Sequence, residues 1–425
     1  MKKIKKFLKI LGPGFITGAS DDDPSGIATY AQTGAAFGYN QLWTALFSFP
    51  FMTVIQEMCG RVGMVTGKGL AAIVKENYAK PVLYVAVIIL LLANTINIGA
   101  DLGAMASAGQ LLLGIPFIFW LIFITVVTLL LEIFVPYPAY ARFLKYLTLS
   151  LFAYVFTAFI VKQEWTKIVF ATFIPSFSFS KIYLLNIVAI LGTTISPYLF
   201  FWQADEEIEE EIEHHKLQAM GKGIPRVRKG DIREMRLDTT IGMFFSNLVM
   251  FFIIVATAST LNLHNITNIK TATEAAAVLR PFAGDFAYLL FAAGIIGTGF
   301  LAVPILAGSA AYALAESFNW KAGLGKKLKQ AHGFYGIITI ATLIGILVNF
   351  TPIKPFQMLY YTAVLNGIAA PPLIILILLI ANNRKIMGEH TNSSFSNIVG
   401  FAIAAVMSIC AIFLVTILIL QHGRY

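Results

Sequence analysis

The sequence predicts an all-α integral membrane protein with about eleven transmembrane helices, and two observations support this class. Of its 425 residues, 58% are hydrophobic and 12% are charged, and the mean hydropathy is +0.77. Soluble domains are about half apolar and about a quarter charged, so most of this surface must face lipid. Mostly apolar runs of about 18 residues or more, long enough to cross roughly 30 Å of hydrocarbon, recur along the whole chain.

The predicted spans cover residues 12–38, 40–65, 81–106, 111–134, 140–162, 182–206, 237–262, 283–315, 333–350, 355–381 and 397–420. Pairs of glycines four residues apart predict close helix packing in three places, Gly14/Gly18, Gly34/Gly38 and Gly99/Gly103. The two cysteines, Cys59 and Cys410, lie in apolar runs without a metal-binding spacing. They are therefore interpreted as small hydrophobic residues.

The positive charges predict the orientation. With the N-terminus inside, 24 of the 31 Lys and Arg residues fall in the inside segments and 7 in the outside ones. Because cytoplasmic loops carry the excess of Lys and Arg, we expect a cytoplasmic N-terminus and an external C-terminus. The compact loops favour a multi-pass protein of the cell membrane, and we expect a bacterial inner membrane. The net charge of +9 is then a topology signal, and no nucleic-acid partner is predicted.

The longest polar stretch, 205–236, has two readings. It begins with an acidic run that contains six glutamates between Glu206 and Glu213 and continues with basic residues. It is either a helix end that emerges into water as a solvated charged segment, or a cation-attracting vestibule or regulatory loop. The sequence leaves both readings open.

Two spans are interrupted near their middles by proline and polar residues. The first reads Ser20-Asp21-Asp22-Asp23-Pro24-Ser25-Gly26, and the sixth reads Gly192-Thr193-Thr194-Ile195-Ser196-Pro197-Tyr198. Proline removes a backbone donor and leaves carbonyls unpaired, which hydrocarbon tolerates only beside protein or a watery cavity. Paired breaks five helices apart are typical of transporters built from two inverted five-helix repeats with a site at the midplane. We therefore predict repeats at 1–165 and 180–382 and an additional helix at 396–421.

The acidic residues at the first break predict a cation site. Three aspartates at a helix centre would cost about 8 to 10 kcal/mol if they faced lipid, so they must face water, a cation or protein. Asp23 adjoins the break itself, whereas Asp21 and Asp22 either contribute to the site or only keep a vestibule hydrated. Carboxylates, freed carbonyls and nearby hydroxyls together form an all-oxygen environment, with hydroxyls at Ser20, Ser25, Thr193, Thr194 and Ser196.

Other polar residues inside the spans are few. Asn97 and Asp101 are four residues apart in the third span, hence on one helix face, and either line a cation or proton path or form a structural pair. Asn366 in the tenth span, and Asp238 and Asn247 in the seventh, have the same two readings. All six histidines fall in connections or at span ends, so no histidine metal cluster is predicted.

Several segments resemble the NRAMP family of divalent-metal transporters. They are Gly12-Pro13-Gly14-Phe15, Asp23-Pro24-Ser25-Gly26, Ala35-Ala36-Phe37-Gly38-Tyr39 and Gly67-Lys68. The resemblance implies a LeuT-like fold. The family's first-span signature is Asp-Pro-Gly-Asn and its sixth-span signature is Met-Pro-His. By this resemblance the metal-binding Asp corresponds to Asp23, the ligand Asn to Gly26 and the ligand Met to Ser196.

These departures from the family pattern predict a different ion preference. Loss of the soft thioether weakens discrimination against hard cations such as Mg²⁺ and Mn²⁺. Glycine in place of Asn enlarges the cavity, which lets Mg²⁺ keep part of its water shell. The combination is similar to the NRAMP-related magnesium transporters. The predicted metal-site residues are Asp23, Ser20, Ser25, Gly26, Thr193 and Ser196.

Proton coupling is expected to be weak or absent. The family's two sixth-span histidines correspond to Tyr198 and Gln203, and residues 333–350 contain no Arg or Lys. Few groups are then left to titrate near neutral pH. The membrane potential would drive a divalent ion with about 4.6 kcal/mol per 100 mV. The pathway or proton candidates are Asp22, Asn97, Asp101, Tyr198, Gln203 and Asn366.

Three other functions compete with this prediction. They are a proton-coupled manganese or iron importer, an organic-solute symporter on the same fold, and a non-transport receptor, scaffold or intramembrane enzyme. The aspartates argue against an anionic solute, and HExxH and GxSxG signatures are absent from the sequence. We expect no enzymatic activity, no cofactor besides the transported divalent cation, and no obligate protein partner.

Overall fold

The computed structural model describes residues 12–135 and 148–422, which form helices and connecting segments without a β-strand. The first half contains α1 (Pro13–Asp21), α2 (Pro24–Phe37), α3 (Trp43–Thr66), α4 (Leu70–Asn77), α5 (Lys80–Leu113), α6 (Phe117–Phe134), α7 (Phe152–Ile160) and α8 (Trp165–Phe173). The second half contains α9 (Lys181–Thr194), α10 (Pro197–Glu213), α11 (Lys229–Thr260), α12 (Ala272–Ala276), α13 (Arg280–Ala283), α14 (Ala287–Ser317), α15 (His332–Ile346), α16 (Pro355–Asn382), α17 (Arg384–Met387) and α18 (Ser394–His422). The all-α membrane class is confirmed.

The helices account for the predicted spans. Within the described residues, eight helical stretches are long and apolar enough to cross a membrane, and they coincide with spans three, four and six to eleven. The first span is the interrupted pair α1 and α2, and the second is the 24-residue helix α3. The fifth, predicted at 140–162, lies partly outside the described residues, and its described part contains a short apolar helix over 149–160. The boundaries of the two predicted repeats stay a prediction.

Small residues let the helices at the centre approach closely, as the glycine pairs predicted. A β-carbon added at Gly18 would lie 2.3 Å from the Gly242 carbonyl carbon, so α1 and α11 are in backbone contact. One added at Gly99 would lie 2.0 Å from the Gly345 oxygen, which joins α5 to α15. A β-carbon added at Gly192 would lie 2.1 Å from the Ala363 carbonyl oxygen, so α9 and α16 are also in backbone contact. Lipid tails are as apolar as the side chains, so close van der Waals packing of this kind holds the helices together in place of the hydrophobic effect.

A buried carboxylate from α11 fixes the start of α1. Asp238 accepts hydrogen bonds from the backbone N–H groups of Gly12, Gly14 and Phe15 at 2.9, 2.7 and 3.2 Å. These donors have no partner within a helix that is just beginning, so a distant side chain satisfies them. Asp238 therefore holds the N-terminal end of the first span rather than lining a path at the break.

Part of the acidic run stays inside the bundle. Helix α10 continues to Glu213, and Glu207 and Glu211 on one of its faces are each only 2% exposed. The reading as a solvated segment is therefore wrong for these two residues. Residues four apart lie on the same face of a helix, and this face of α10 turns toward the rest of the bundle.

Candidate cation site at the two broken helices

Both predicted helix breaks are present. In the first span, α1 ends at Asp21, Asp22 has non-helical angles (φ −82°, ψ 48°), and α2 begins at Pro24. In the sixth span, α9 ends at Thr194 and α10 begins at Pro197. Each proline occupies the first position of the second half-helix, where its missing N–H costs no hydrogen bond and its fixed φ favours the helix.

Asp23 lies at the centre of the first break and caps α2. Its Oδ1 accepts hydrogen bonds from the Ser25 hydroxyl at 2.7 Å and from the Gly26 N–H at 2.6 Å. Its Oδ2 accepts one from Asn97 Nδ2 at 3.1 Å. The side chain is 1% exposed, and the positive end of α2 favours its negative charge. The predicted residues Asp23, Ser25, Gly26 and Asn97 are thus brought together.

The sixth span supplies more oxygen atoms to the same place. A β-carbon added at Gly26 would lie 3.1 Å from Thr193 Oγ1, 3.1 Å from the Asp21 carbonyl oxygen and 3.4 Å from Asp23 Oδ1. Three oxygens from two spans therefore converge where this residue has no side chain. The Ser196 hydroxyl donates to the carbonyls of Gly192 and Thr193, both at 2.8 Å, which leaves its lone pairs free to accept.

Asp21 and Asp22 are buried on the α1 side of the break and share a donor that the sequence analysis missed. The Ser246 hydroxyl on α11 lies 2.5 Å from Asp21 Oδ2 and 3.4 Å from Asp22 Oδ1. Among the described residues, Asp21 Oδ1 has no hydrogen-bond partner. Nothing in the sequence distinguishes Ser246 from other serines in apolar spans. Its neighbour Asn247, a candidate pathway residue by its sequence, contacts Ser48 and Met52 instead.

Asp101 lies next to this group on α5. It is fully buried, and it lies near enough to Asp23 for the two carboxylate charges to repel each other. Neither of its carboxylate oxygens makes a well-formed hydrogen bond within the described part of the chain. Asn97 Oδ1 is likewise buried without a partner there. The predicted common face of Asn97 and Asp101 is thus turned toward the break.

The remaining candidates fall into two groups. The Tyr198 hydroxyl donates to the Ser20 carbonyl at 3.0 Å and so joins the two breaks, while the Ser20 hydroxyl turns back to the Thr17 carbonyl at 2.8 Å. Gln203 lies farther along α10, where its Nε2 donates to Glu207 at 2.9 Å. Asn366 is buried on the turn of α16 that packs against Gly192. Of these remaining candidates, Tyr198 and Ser20 are the pair whose hydrogen bond joins the two breaks in the described structure.

The charge of the site requires a cation or protons. Four carboxylates are buried around the break, at Asp21, Asp22, Asp23 and Asp101, and no Lys or Arg forms an ion pair with them among the described residues. Burying unpaired charge costs several kcal/mol per ion. Within the same residues, no three His, Cys, Asp or Glu side chains form a metal cage, so a metal ion bound here would take its other ligands from hydroxyls, carbonyls and water. Such oxygen donors suit hard divalent cations.

Two interrupted helices that meet at a buried, oxygen-lined centre define a multi-span membrane protein with a LeuT-like transporter fold. The chain matches the family described as natural resistance-associated macrophage protein-like over residues 14–416. This match covers nearly the whole chain, and the chain therefore belongs to the Nramp family.

Relatives and solved structures agree with this assignment. The divalent metal cation transporter MntH of Caldanaerobacter subterraneus subsp. tengcongensis is 26% identical over 413 residues, 96% of this chain and 92% of the relative. The MntH of Clostridium acetobutylicum is 25% identical over 97% of this chain and 92% of that protein. The crystal structure of a variant of the Eremococcus coleocola manganese transporter superposes with a TM-score of 0.73 at 17% identity, covering 96% of this chain and 86% of that one. Mhp1, a nucleobase-cation-symport-1 family transporter, gives 0.56 at 13% identity, covering 96% of this chain and 92% of that one, so the likeness is in the fold.

Proposed function

We propose that this protein is a secondary transporter that moves hard divalent cations of the Mg²⁺ and Mn²⁺ class across the membrane. The observation that carries the proposal is Asp23, a buried carboxylate at a helix break whose neighbours are oxygen donors from two spans. The names of the relatives, divalent metal cation transporters, support the metal substrate. The cation is the substrate, and the proposal needs no cofactor or protein partner.

The donor set favours hard over soft metals. The residue that corresponds to the family's ligand methionine is Ser196, which offers a hydroxyl oxygen, and no sulfur atom is among the site residues described above. At Gly26 the lack of a side chain lets the Thr193, Asp21 and Asp23 oxygens converge, each 3.1 to 3.4 Å from the place that a β-carbon would take. Carboxylate, hydroxyl and carbonyl oxygens, completed by water, are the ligands that suit Mg²⁺.

Transport is proposed to be passive or weakly coupled to protons. Tyr198 and Gln203 replace the histidines of the family pattern, and neither titrates near neutral pH. The two broken helices would expose the site to each side in turn by moving against the rest of the bundle, as in other inverted-repeat transporters. An ordinary proton-coupled manganese or iron importer is the alternative. An organic-solute symporter has less support because the centre is acidic.

Uptake by reconstituted liposomes tests the proposal. Dyes inside the vesicles report Mn²⁺ and Mg²⁺ entry while a pH dye reports protons. We expect Mg²⁺ at millimolar concentration to compete with Mn²⁺ and the internal pH to stay constant. If Mg²⁺ does not compete, the hard-cation preference is wrong, and if acidification follows metal entry, transport is proton-coupled.

Asp23→Ala tests the site. We expect it to abolish uptake while the purified protein elutes as the wild type does. Asp285→Ala is the matched control, because Asp285 is exposed in a connection far along the chain from the break. Near-normal uptake by Asp23→Ala would refute the assignment of this residue as a ligand.

A further inference from the structure

A second acidic region lies apart from the helix breaks, on the side that the sequence predicts to be cytoplasmic. Residues of α3, α10 and α11, the segment after α10 and the residue that precedes α1 line a partly open cavity of about 120 Å³, here called the acidic cavity. Six of its lining side chains are acidic, Glu207, Glu210, Glu211, Asp231, Glu234 and Asp238. The transport site described above uses none of them.

The basic groups of the acidic cavity do not balance these charges. Lys216 and His214 are the basic side chains in its lining. Lys216 Nζ lies 3.1 Å from Asp231 Oδ1, and His214 Nδ1 lies 4.0 Å from Glu210 Oε1. The Asp238 carboxylate accepts hydrogen bonds from the backbone N–H groups at the start of α1. The glutamates of α10 therefore carry the excess negative charge.

Glu211 indicates what the acidic cavity binds. It is 2% exposed, and neither of its carboxylate oxygens has a hydrogen-bond partner among the described residues. Glu207, one turn earlier on the same face, is also 2% exposed, and only Gln203 donates to it in the described structure. Like charges four residues apart destabilise a helix, and burying them costs much more. A face of this kind is stable when positive charge from outside the chain balances it.

We propose that the acidic cavity is a second cation site, which binds a hydrated hard divalent cation such as Mg²⁺. Carboxylate oxygens are the ligands such ions prefer. No three acidic side chains of the described residues are close enough for a direct metal cage, so the ion is held largely through its water shell. The volume of about 120 Å³ has room for several water molecules besides the ion, as a partly hydrated ion requires.

The position of the acidic cavity gives this ion a regulatory effect, and this part rests on the proposed transport function. The lining joins α10, the second half of the broken sixth span, to α11 and to Gly12 at the start of the broken first span. A cation here bridges elements that must separate when the site opens to this side. High internal divalent cation therefore slows further import.

Binding to the purified full chain tests the site without depending on transport. Mn²⁺ binding is counted by electron paramagnetic resonance in an Asp23→Ala background, in which the transport site is removed. We expect one ion per chain to remain, Glu211→Gln to weaken its binding about tenfold or more, and Glu213→Gln to leave it unchanged because Glu213 is exposed on the same helix and outside the cavity. Unchanged binding in Glu211→Gln, or no remaining ion in Asp23→Ala, would overturn the proposal. Glu210→Gln is the second variant if Glu211→Gln does not fold.

Uptake by liposomes tests the regulation. Millimolar Mg²⁺ inside the vesicles should slow Mn²⁺ entry through the wild type and through Glu213→Gln, but not through Glu211→Gln. Equal inhibition of all three would contradict the regulatory effect. Failure of the transport proposal is distinguishable, because the wild type would then take up no Mn²⁺ at any internal Mg²⁺ concentration, while Mn²⁺ binding in the Asp23→Ala background would still depend on Glu211.

Discussion

Replacement of Gly242 by alanine should separate the two helices that carry the first break and its Ser246 donor. An added β-carbon would lie 2.3 Å from the Gly14 carbonyl oxygen and 2.9 Å from the Phe15 Cα, both backbone atoms, whereas ordinary contact begins at 3.4 Å. The backbones must therefore move apart by about 1 Å, and overpacking of this kind costs about 1 to 3 kcal/mol. Ser246 is one turn further along α11 and would be pulled from Asp21.

Thermal unfolding of the purified protein in detergent, followed by the loss of the monodisperse elution peak, measures the effect. Gly230→Ala is the matched control because it lies on the same helix with nothing within 4 Å of an added β-carbon. We expect Gly242→Ala to lower the midpoint and reduce Mn²⁺ uptake, and Gly230→Ala to leave the midpoint equal or slightly higher, since alanine favours helix over glycine. Equal midpoints for both variants would refute the argued close packing of α1 on α11.

Three further substitutions probe the site and its support. Ser196→Met should shift uptake toward softer metals in a Cd²⁺ against Mg²⁺ competition, because a thioether joins the oxygen donors; an unchanged ratio means that Ser196 is not a ligand. Asn97→Leu removes the donor to Asp23 Oδ2 and should raise the KM for Mn²⁺ about tenfold, and an unchanged KM would contradict this positioning role. Arg61→Met removes the buried ion pair with Glu57, which keeps only the half-exposed Arg236 of α11 as a partner. We expect stability to fall by about 2 kcal/mol, seen as a lower unfolding midpoint. A wild-type midpoint would contradict this.

Local sequence predicted the broken helices because their causes are local. Pro24 and Pro197 interrupt apolar runs together with polar residues, and the structure ends and restarts a helix at each. Asp23 was expected at the centre because it adjoins the first proline, and the structure makes it the cap of α2. Asn97 was placed on the correct face from its spacing to Asp101 alone.

Local sequence patterns could not predict contacts between distant spans. Ser246 meets Asp21 across 225 positions of the chain, and Asp238 meets Gly14 across 224. The sequence left Asp238 with two readings, as a pathway residue or as a structural one, and its hydrogen bonds to the start of α1 support the structural reading. Glu207 and Glu211 were part of an acidic run, and only the folded chain shows that one face of this run is buried.

The amino-acid sequence by itself determined the membrane environment, the spans and the two interruptions, because hydropathy over about 20 residues and the missing N–H of proline act within a single helix. The folded bundle decided which oxygens meet at Gly26, which serine donates a hydrogen bond to Asp21 and which glutamates line the acidic cavity. Those outcomes depend on how closely α1, α10 and α11 approach one another. Between α1 and α11 that approach is limited by backbone contacts at Gly14, Gly18 and Gly242, whose partners lie more than two hundred residues away.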